Sequence, residues 1–202
     1  PAVSLAGGRT GTGVVADDGI PTTMTWDALN RLLAIAKTVA GATHLTEFVY
    51  DGQGRRVKIT QKENGTVTSE RRFVYHVNGL IEERGSAGDV QKRFFREGIE
   101  LIGAQTARFF YTYDHLGSIR ELIDIAGGVS AAYSYDLWGR VIQLEGALVS
   151  DLQFTGYLHH SIYKLCLPRF RQYSSTCGRW LSRDPIGESA GPNRYKYVQN
   201  TY

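Results

Sequence analysis

Two histidines and two cysteines are the residues of this chain best suited by type to hold a metal: His159-His160, Cys166 and Cys177. Structural zinc sites bring such ligands together at short regular spacings, as in CxxC or a spaced histidine pair. Neither spacing occurs here, and adjacent residues on a strand point to opposite faces. Two cysteines do not make a disulfide framework either, so the pattern predicts a pair of buried free thiols, no metal and no cofactor. The remaining chemistry-bearing feature is a carboxylate that follows an aromatic residue, at Trp26-Asp27, Tyr50-Asp51, Tyr113-Asp114 and Tyr135-Asp136. Each Asp has Asn or Gly three places on, the signature of a tight turn in which the side chain accepts from the backbone ahead of it. These aspartates are assigned to turns and not to catalysis. Short basic clusters such as Arg55-Arg56-Val57-Lys58 and Arg71-Arg72 read as solvent-facing positions of strands.

The elements that position these residues repeat. The aromatic-Asp-x-x-Gly/Asn unit is followed by Arg at Arg31, Arg55 and Arg140, with Ser118 the exception. Tyr75-His76-Val77-Asn78-Gly79 fits as a copy without its Asp, and Phe95-Arg96-Glu97-Gly98 as a degenerate one. Periods in the twenties of residues mark a repeat architecture. After each turn the residues alternate, as strands do. Val57 and Ile59 share one parity, Asn64-Gly65 reverses the chain, and Phe73 and Tyr75 return on the same parity. A two-residue loop would set odd residues opposite even ones and split the apolar face. A three-residue loop ending in Gly65, a type I turn with a glycine bulge, restores it and is the expectation. By the same parity, Ile119, Ile123 and Ile125 face Tyr133 and Tyr135 across Gly127-Gly128. The stretch Arg31 to Ala40, RLLAIAKTVA, has helix-favouring composition. The repeat context makes it a strand.

The 12 Tyr, 8 Phe and 3 Trp agree with a β protein, since aromatics pack well on a pleated surface. The net charge of +3 comes from basic and acidic residues interspersed along the chain, which gives no support to nucleic-acid binding. Apolar runs are too short for a membrane span. Three parts follow: a Gly/Ala/Thr-rich leading segment at 1–23, repeat hairpins at 24–143, and a non-repeating segment at 144–202. A hairpin alone is marginal in water, so neighbouring repeats must supply the rest of the pairing. The fold expected is all-β, antiparallel hairpins forming an open, twisted sheet with unprotected edges.

The most specific stretch runs from Cys177 to Val198, CGRWLSRDPIGESAGPNRYKYV. Trp180 and Leu181 with Arg179 and Arg183 read as a short strand, and Asp184-Pro185-Ile186-Gly187 as a turn with Pro at its second place. The order Gly178, Arg179, Trp180, Leu181, Ser182, Arg183, Asp184, Pro185, Ile186, Gly187, then Gly191, Asn193, Tyr195, Tyr197, Val198 and Asn200, resembles the end of an RHS core. With it, the aromatic-Asp units resemble the YD repeats of RHS proteins. Phe154 to Tyr157 and Pro168 to Tyr173 are similar to the core's lead-in, but Tyr173 is followed by Ser174-Ser175 where the family has Tyr-Asp-Pro.

The resemblance implies a fragment of an RHS-type β-shell that encapsulates a variable, toxin-like C-terminal polypeptide. Its implied partners are the other repeats of a longer parent and that cargo, and its implied parent is secreted or on the cell surface. The alternatives are an adhesion or carbohydrate-binding repeat module, favoured if Tyr111, Tyr113, Tyr133 and Tyr135 are exposed, and an aspartate-dependent autoprotease core. The last would place Asp184, with Arg183 beside it, as the catalytic residues in the parent only. Because acid proteolysis uses a carboxylate pair sharing a proton, a second acid must approach, with Glu188 and Asp151 the candidates by type. No scissile site of the family's kind lies before Tyr202, so this chain is expected to be silent by itself.

Overall fold

The computed structural model describes residues 9–14, 19–77, 79–184, 193 and 195–197. A thirteen-stranded antiparallel sheet runs through β1 (Arg9–Val14), β2 (Pro21–Trp26), β3 (Leu32–Val39), β4 (Ala42–Tyr50), β5 (Arg56–Glu63), β6 (Thr66–His76), β7 (Gly79–Arg84), β8 (Val90–Phe94), β9 (Gly98–Leu101), β10 (Ala107–Tyr113), β11 (Ile119–Asp124), β12 (Val129–Tyr135) and β13 (Val141–Glu145). Every strand pairs with its neighbours in sequence, and the sheet stays open. A second, four-stranded meander follows, β14 (Leu158–His160), β15 (Leu165–Leu167), β16 (Tyr173–Ser174) and β17 (Arg179–Trp180). The helix-favouring stretch after Arg31 is the strand β3, as the repeat context requires, and the leading segment contributes β1.

The Asp turns share one construction. Asp27 Oδ1 accepts from the N–H groups of Leu29 and Arg31, each at 2.9 Å. Asp51 does so from Gln53 and Arg55 at 2.9 Å, Asp114 from Leu116 and Ser118, and Asp136 from Trp138 and Arg140. Glycine at the fourth place carries positive φ in three of these, Gly54, Gly117 and Gly139, and Asn30 takes φ 59° in the other. A fifth turn of this kind, which the dipeptide misses because Ile123 precedes it, is Asp124-Ile125-Ala126-Gly127-Gly128. The tyrosine of a following repeat then reaches back. Tyr50 Oη donates to Leu32 O at 2.9 Å, Tyr75 to Arg56 O at 3.0 Å and Tyr135 to Ile119 O at 2.6 Å, each acceptor lying five residues after an Asp. Tyr75 keeps this link although its own repeat has lost the Asp.

Several expected registers are corrected. Asn64 and Gly65, with φ 49° and 84°, form a two-residue loop between the paired Glu63 and Thr66. Two consecutive left-handed residues match the twist of a hairpin better than a three-residue loop. Parity is restored further along, by a bulge at Thr68 between the pairs Lys62–Val67 and Gln61–Ser69. Tyr75 to Gly79 is a different turn, with His76 paired to Gly79 and Val77 at φ 53°. At Phe95 and Gly98 the backbones bond mutually around Arg96-Glu97, so that segment is not an Asp-type turn either.

A bulge also follows the turns, at Leu33, Val57, Ile81 and Arg120, each skipped in the cross-strand pairing. It brings residues three apart onto one face: Leu32 with Ile35, Arg56 with Ile59, and Ile119 with Leu122 are all buried. Val57 therefore does not share the face of Ile59. In the later hairpin, Ile119, Leu122, Ala131 and Tyr133 form the core, whereas Ile123 pairs with Val129 and Ile125 is 78% exposed in the turn.

The buried face of the first half of the sheet, with Met24, Trp26, Leu32, Ile35, Phe48, Ile59 and Phe73, is covered by Leu158, Tyr163, Leu165 and Leu167 of the small sheet. Tyr163 is fully buried, and its Oη lies 2.9 Å from both Ile35 O and His44 O, pinning the small sheet to β3 and β4. Of the two free cysteines only Cys166 is buried; Cys177 is exposed, since it lies in the turn between β16 and β17 and not on a strand.

Candidate functional site

Four charged side chains meet where the small sheet is seated. The bulge at Ile81 puts Glu83 at the place that Ile35, Ile59 and Leu122 hold in their repeats, so a carboxylate is driven into the core. It pairs across the sheet with Lys92 of β8, whose Nζ lies 3.7 Å from it, and it forms a short ion pair with Arg71 of β6. Asp151, from the segment that leads into the small sheet, closes the cluster. Its two oxygens lie 2.6 Å from Arg71 Nη2 and 2.7 Å from Lys92 Nζ. Burial works against the Arg71 guanidinium, but Asp151 and Glu83 outweigh it and raise its pKa. His160 is beside this cluster. Burial first, and then the Arg71 charge, push it down to about 3. It is held as a neutral ring, with Gln61 Nε2 3.2 Å from its Nε2. His159 is lowered to about 4, again by burial first. Burial likewise pushes the Cys166 thiol up to about 12, which makes it an unreactive neighbour. The cluster is an electrostatic clamp between the two sheets and offers no nucleophile.

Asp184 lies elsewhere. Its Oδ2 is 2.8 Å from Arg171 Nη1, and the Arg171 guanidinium stacks 4.0 Å from the Trp180 ring. Arg183 is exposed, with Nε 3.4 Å from Tyr195 Oη. Of the acids considered as a partner for Asp184, Asp151 is engaged by Arg71 and Lys92, and Glu188 lies outside the described residues, as do Pro185, Ile186 and Gly187. Among the described residues Asp184 forms part of a carboxylate–guanidinium–indole stack with Arg171 and Trp180. The clamp itself had one legible signal, Glu83 at a core position of its repeat, but reading it needs the bulge. Among the described residues no group of three His, Cys, Asp or Glu converges on a metal position, and no helix is long and apolar enough to cross a membrane. Tyr111 and Tyr133 are buried, Tyr135 is partly so, and Tyr113 is 47% exposed.

No family model matches the chain. Curated proteins do. It is 27% identical to double-stranded DNA deaminase toxin A of Burkholderia cenocepacia, over 79% of this chain and 15% of that protein. It is 27% identical to toxin protein Tse5 of Pseudomonas aeruginosa, over 87% and 14%, and 31% identical to the probable deoxyribonuclease RhsB of Dickeya dadantii, over 87% and 13%. The relatives of this chain are RHS-type toxin proteins. Among solved structures, TcdB2-TccC3 aligns with a TM-score of 0.65 at 18% identity, over 92% of this chain and 10% of that one. The Tc holotoxin pore of Photorhabdus luminescens aligns at 0.64 and 18%, over 89% and 10%. The open antiparallel architecture is therefore one shared with Tc toxin proteins. The chain spans only 13 to 15% of the length of these three relatives.

Proposed function

We propose that this chain is a section of repeat scaffold in an RHS-type β-shell, which encloses a variable, toxin-like C-terminal polypeptide. One observation carries the reading. Relatives named for a DNA deaminase and for a deoxyribonuclease both align with most of this chain, over 79% and 87% of it. A segment common to proteins of such different chemistry is not where the chemistry differs, so its role is the shared one of support. The geometry supports this: an open sheet whose edge strands β1 and β13 each have one partner among the described residues, with the small sheet packed on one face. Neighbouring repeats of a longer parent would continue the sheet at those edges.

The test is limited proteolysis of the longer gene product with the polypeptide that follows this segment. Enclosure expects that polypeptide to resist trypsin while intact and to be digested rapidly when expressed by itself. Equal digestion in both states would overturn the reading. The ion pair with Arg171 favours a structural part for Asp184 over that of an acid releasing the cargo. With Asp184→Asn in the same product, release that persists in a folded variant would agree, and release confined to the wild type would assign Asp184 the protease role.

A further inference from the structure

The two ends of the large sheet differ. Because every strand pairs with its neighbour in sequence, successive turns fall alternately at one end of the strands and at the other. The end that holds the Asp27, Asp51, Asp114 and Asp136 turns also holds the turns between β6 and β7 and between β8 and β9. Five of these six turns carry a large apolar side chain in the open: Leu29, Val77, Phe95, Leu116 and Leu137. The remaining one, at Gln53-Gly54, is supplied from elsewhere. Phe170, between β15 and β16, has its ring 3.9 Å from the place a Cβ on Gly54 would take, and the adjacent Arg169 donates from Nη2 to Gln53 O at 2.9 Å. The six side chains are 54% to 94% exposed. At the opposite end, the turns run through Ala40-Gly41, Asn64-Gly65 and the Gly- and Ser-containing residues 85–89, and among the described residues of those turns Ile125 alone is a large apolar residue in the open. The Asp turn fixes its Asp and its Gly or Asn and leaves the places between free, and such places are ordinarily polar. Local structure therefore does not account for the row.

We propose that this row of turn tips is a self-association surface, on which a second copy of the chain docks its own row about a two-fold axis. Three features select that occupant. The six side chains leave on the order of 700 Å² of apolar surface in water, close to the roughly 800 Å² that each partner of a stable complex buries. Two strands per repeat set neighbouring tips about 10 Å apart, and a second row of the same period can meet the first along its length, tip into gap. The charges along the row are already matched within it, Asp27 with Arg31 at 2.6 Å, Asp51 with Arg55 at 2.7 Å and Asp136 with Arg140 at 3.8 Å. Like rows thus approach without like-charge repulsion, and an anionic membrane or nucleic acid gains no steering from them. The proposal is independent of the enclosure reading.

The test is sedimentation velocity of the full 202-residue chain carrying Ile142→Lys and Leu144→Lys, which blunt the β13 edge and leave the tips intact. A monomer–dimer equilibrium that saturates at two copies is expected in that background. Adding Leu29→Ser with Leu116→Ser should raise the dimer dissociation constant at least about tenfold at unchanged melting temperature, since both side chains are exposed and the turns use only their backbone N–H groups. Ile125→Ser, at the opposite end of the sheet, should leave the dimer as it was. A monomer at every concentration, a dimer indifferent to the tip substitutions, or one lost equally to Ile125→Ser would overturn the proposal. So would a monomeric chain that floats with phosphatidylcholine vesicles and loses this with the tip substitutions, since the tips would then meet lipid.

Discussion

At the scale of single residues, the aspartates act through the backbone. Asp27 satisfies two N–H groups with one oxygen and Arg31 Nε, at 2.6 Å, with the other. Asp27→Ala should therefore destabilise the fold by about 1–3 kcal/mol, and Asp27→Asn by less, in urea unfolding. Equal, negligible effects would mean that the turn forms without its acceptor. The histidines make a second prediction. His160 and His159 have folded pKa values of about 3 and about 4, below the ordinary 6.5. The unfolded chain then binds more protons than the folded one between those limits. Their contribution is complete above pH 6.5 and is lost as pH falls toward 4 and then 3, at about 1.4 kcal/mol per pH unit for each proton. The slope of stability against pH in that window should drop by about one proton in His160→Gln. An unchanged slope would contradict the neutral, buried ring.

Between elements, the decisive contact is the Asp151 clamp. Arg71, Lys92 and Glu83 come from three consecutive strands, and Asp151 arrives from a segment far along the chain. Removing one partner of a buried ion cluster leaves charge uncompensated, so Asp151→Ala should cost about 3–5 kcal/mol. Hydrogen exchange should show the loss first in β14 and β15, the strands of the small sheet above. If β1 and β2 were deprotected instead, the clamp would not be what seats that sheet. The tyrosine links work at the same scale. They tie the Asp27, Asp51 and Asp114 turns to a following repeat, which is why a repeat can lose its Asp at His76 and still be held by Tyr75.

For the whole molecule, the edges govern behaviour. Among the described residues β13 pairs with β12 alone, and Ile142 and Leu144 on it are 55% and 62% exposed. Unpaired apolar edges template further pairing. Sedimentation velocity of the isolated chain is expected to show association that grows with concentration and is reduced by Ile142→Lys with Leu144→Lys. A monomer at every concentration would show that the edges are protected, and would weaken the view that neighbouring repeats are needed.

Turn positions, strand order and the all-β class were legible in the sequence, because Asp with Gly or Asn three residues on acts within five residues of backbone and the aromatic residues recur in step. The choice of strand for the Arg31 to Ala40 stretch also followed from that recurrence, against its helix-favouring composition. Only the tertiary structure decided register. The bulges at Leu33, Val57, Ile81 and Arg120 arise from pairing with a strand across the turn, and they shift which residues face inward. For the same reason Ile123 and Ile125 looked internal by parity and are not, while Glu83 is carried into the core. The meeting of Asp151 with Arg71 and Lys92 was out of reach for a further reason: it forms where the segment leading into the small sheet packs on strands far earlier in the chain, and that approach leaves no local mark.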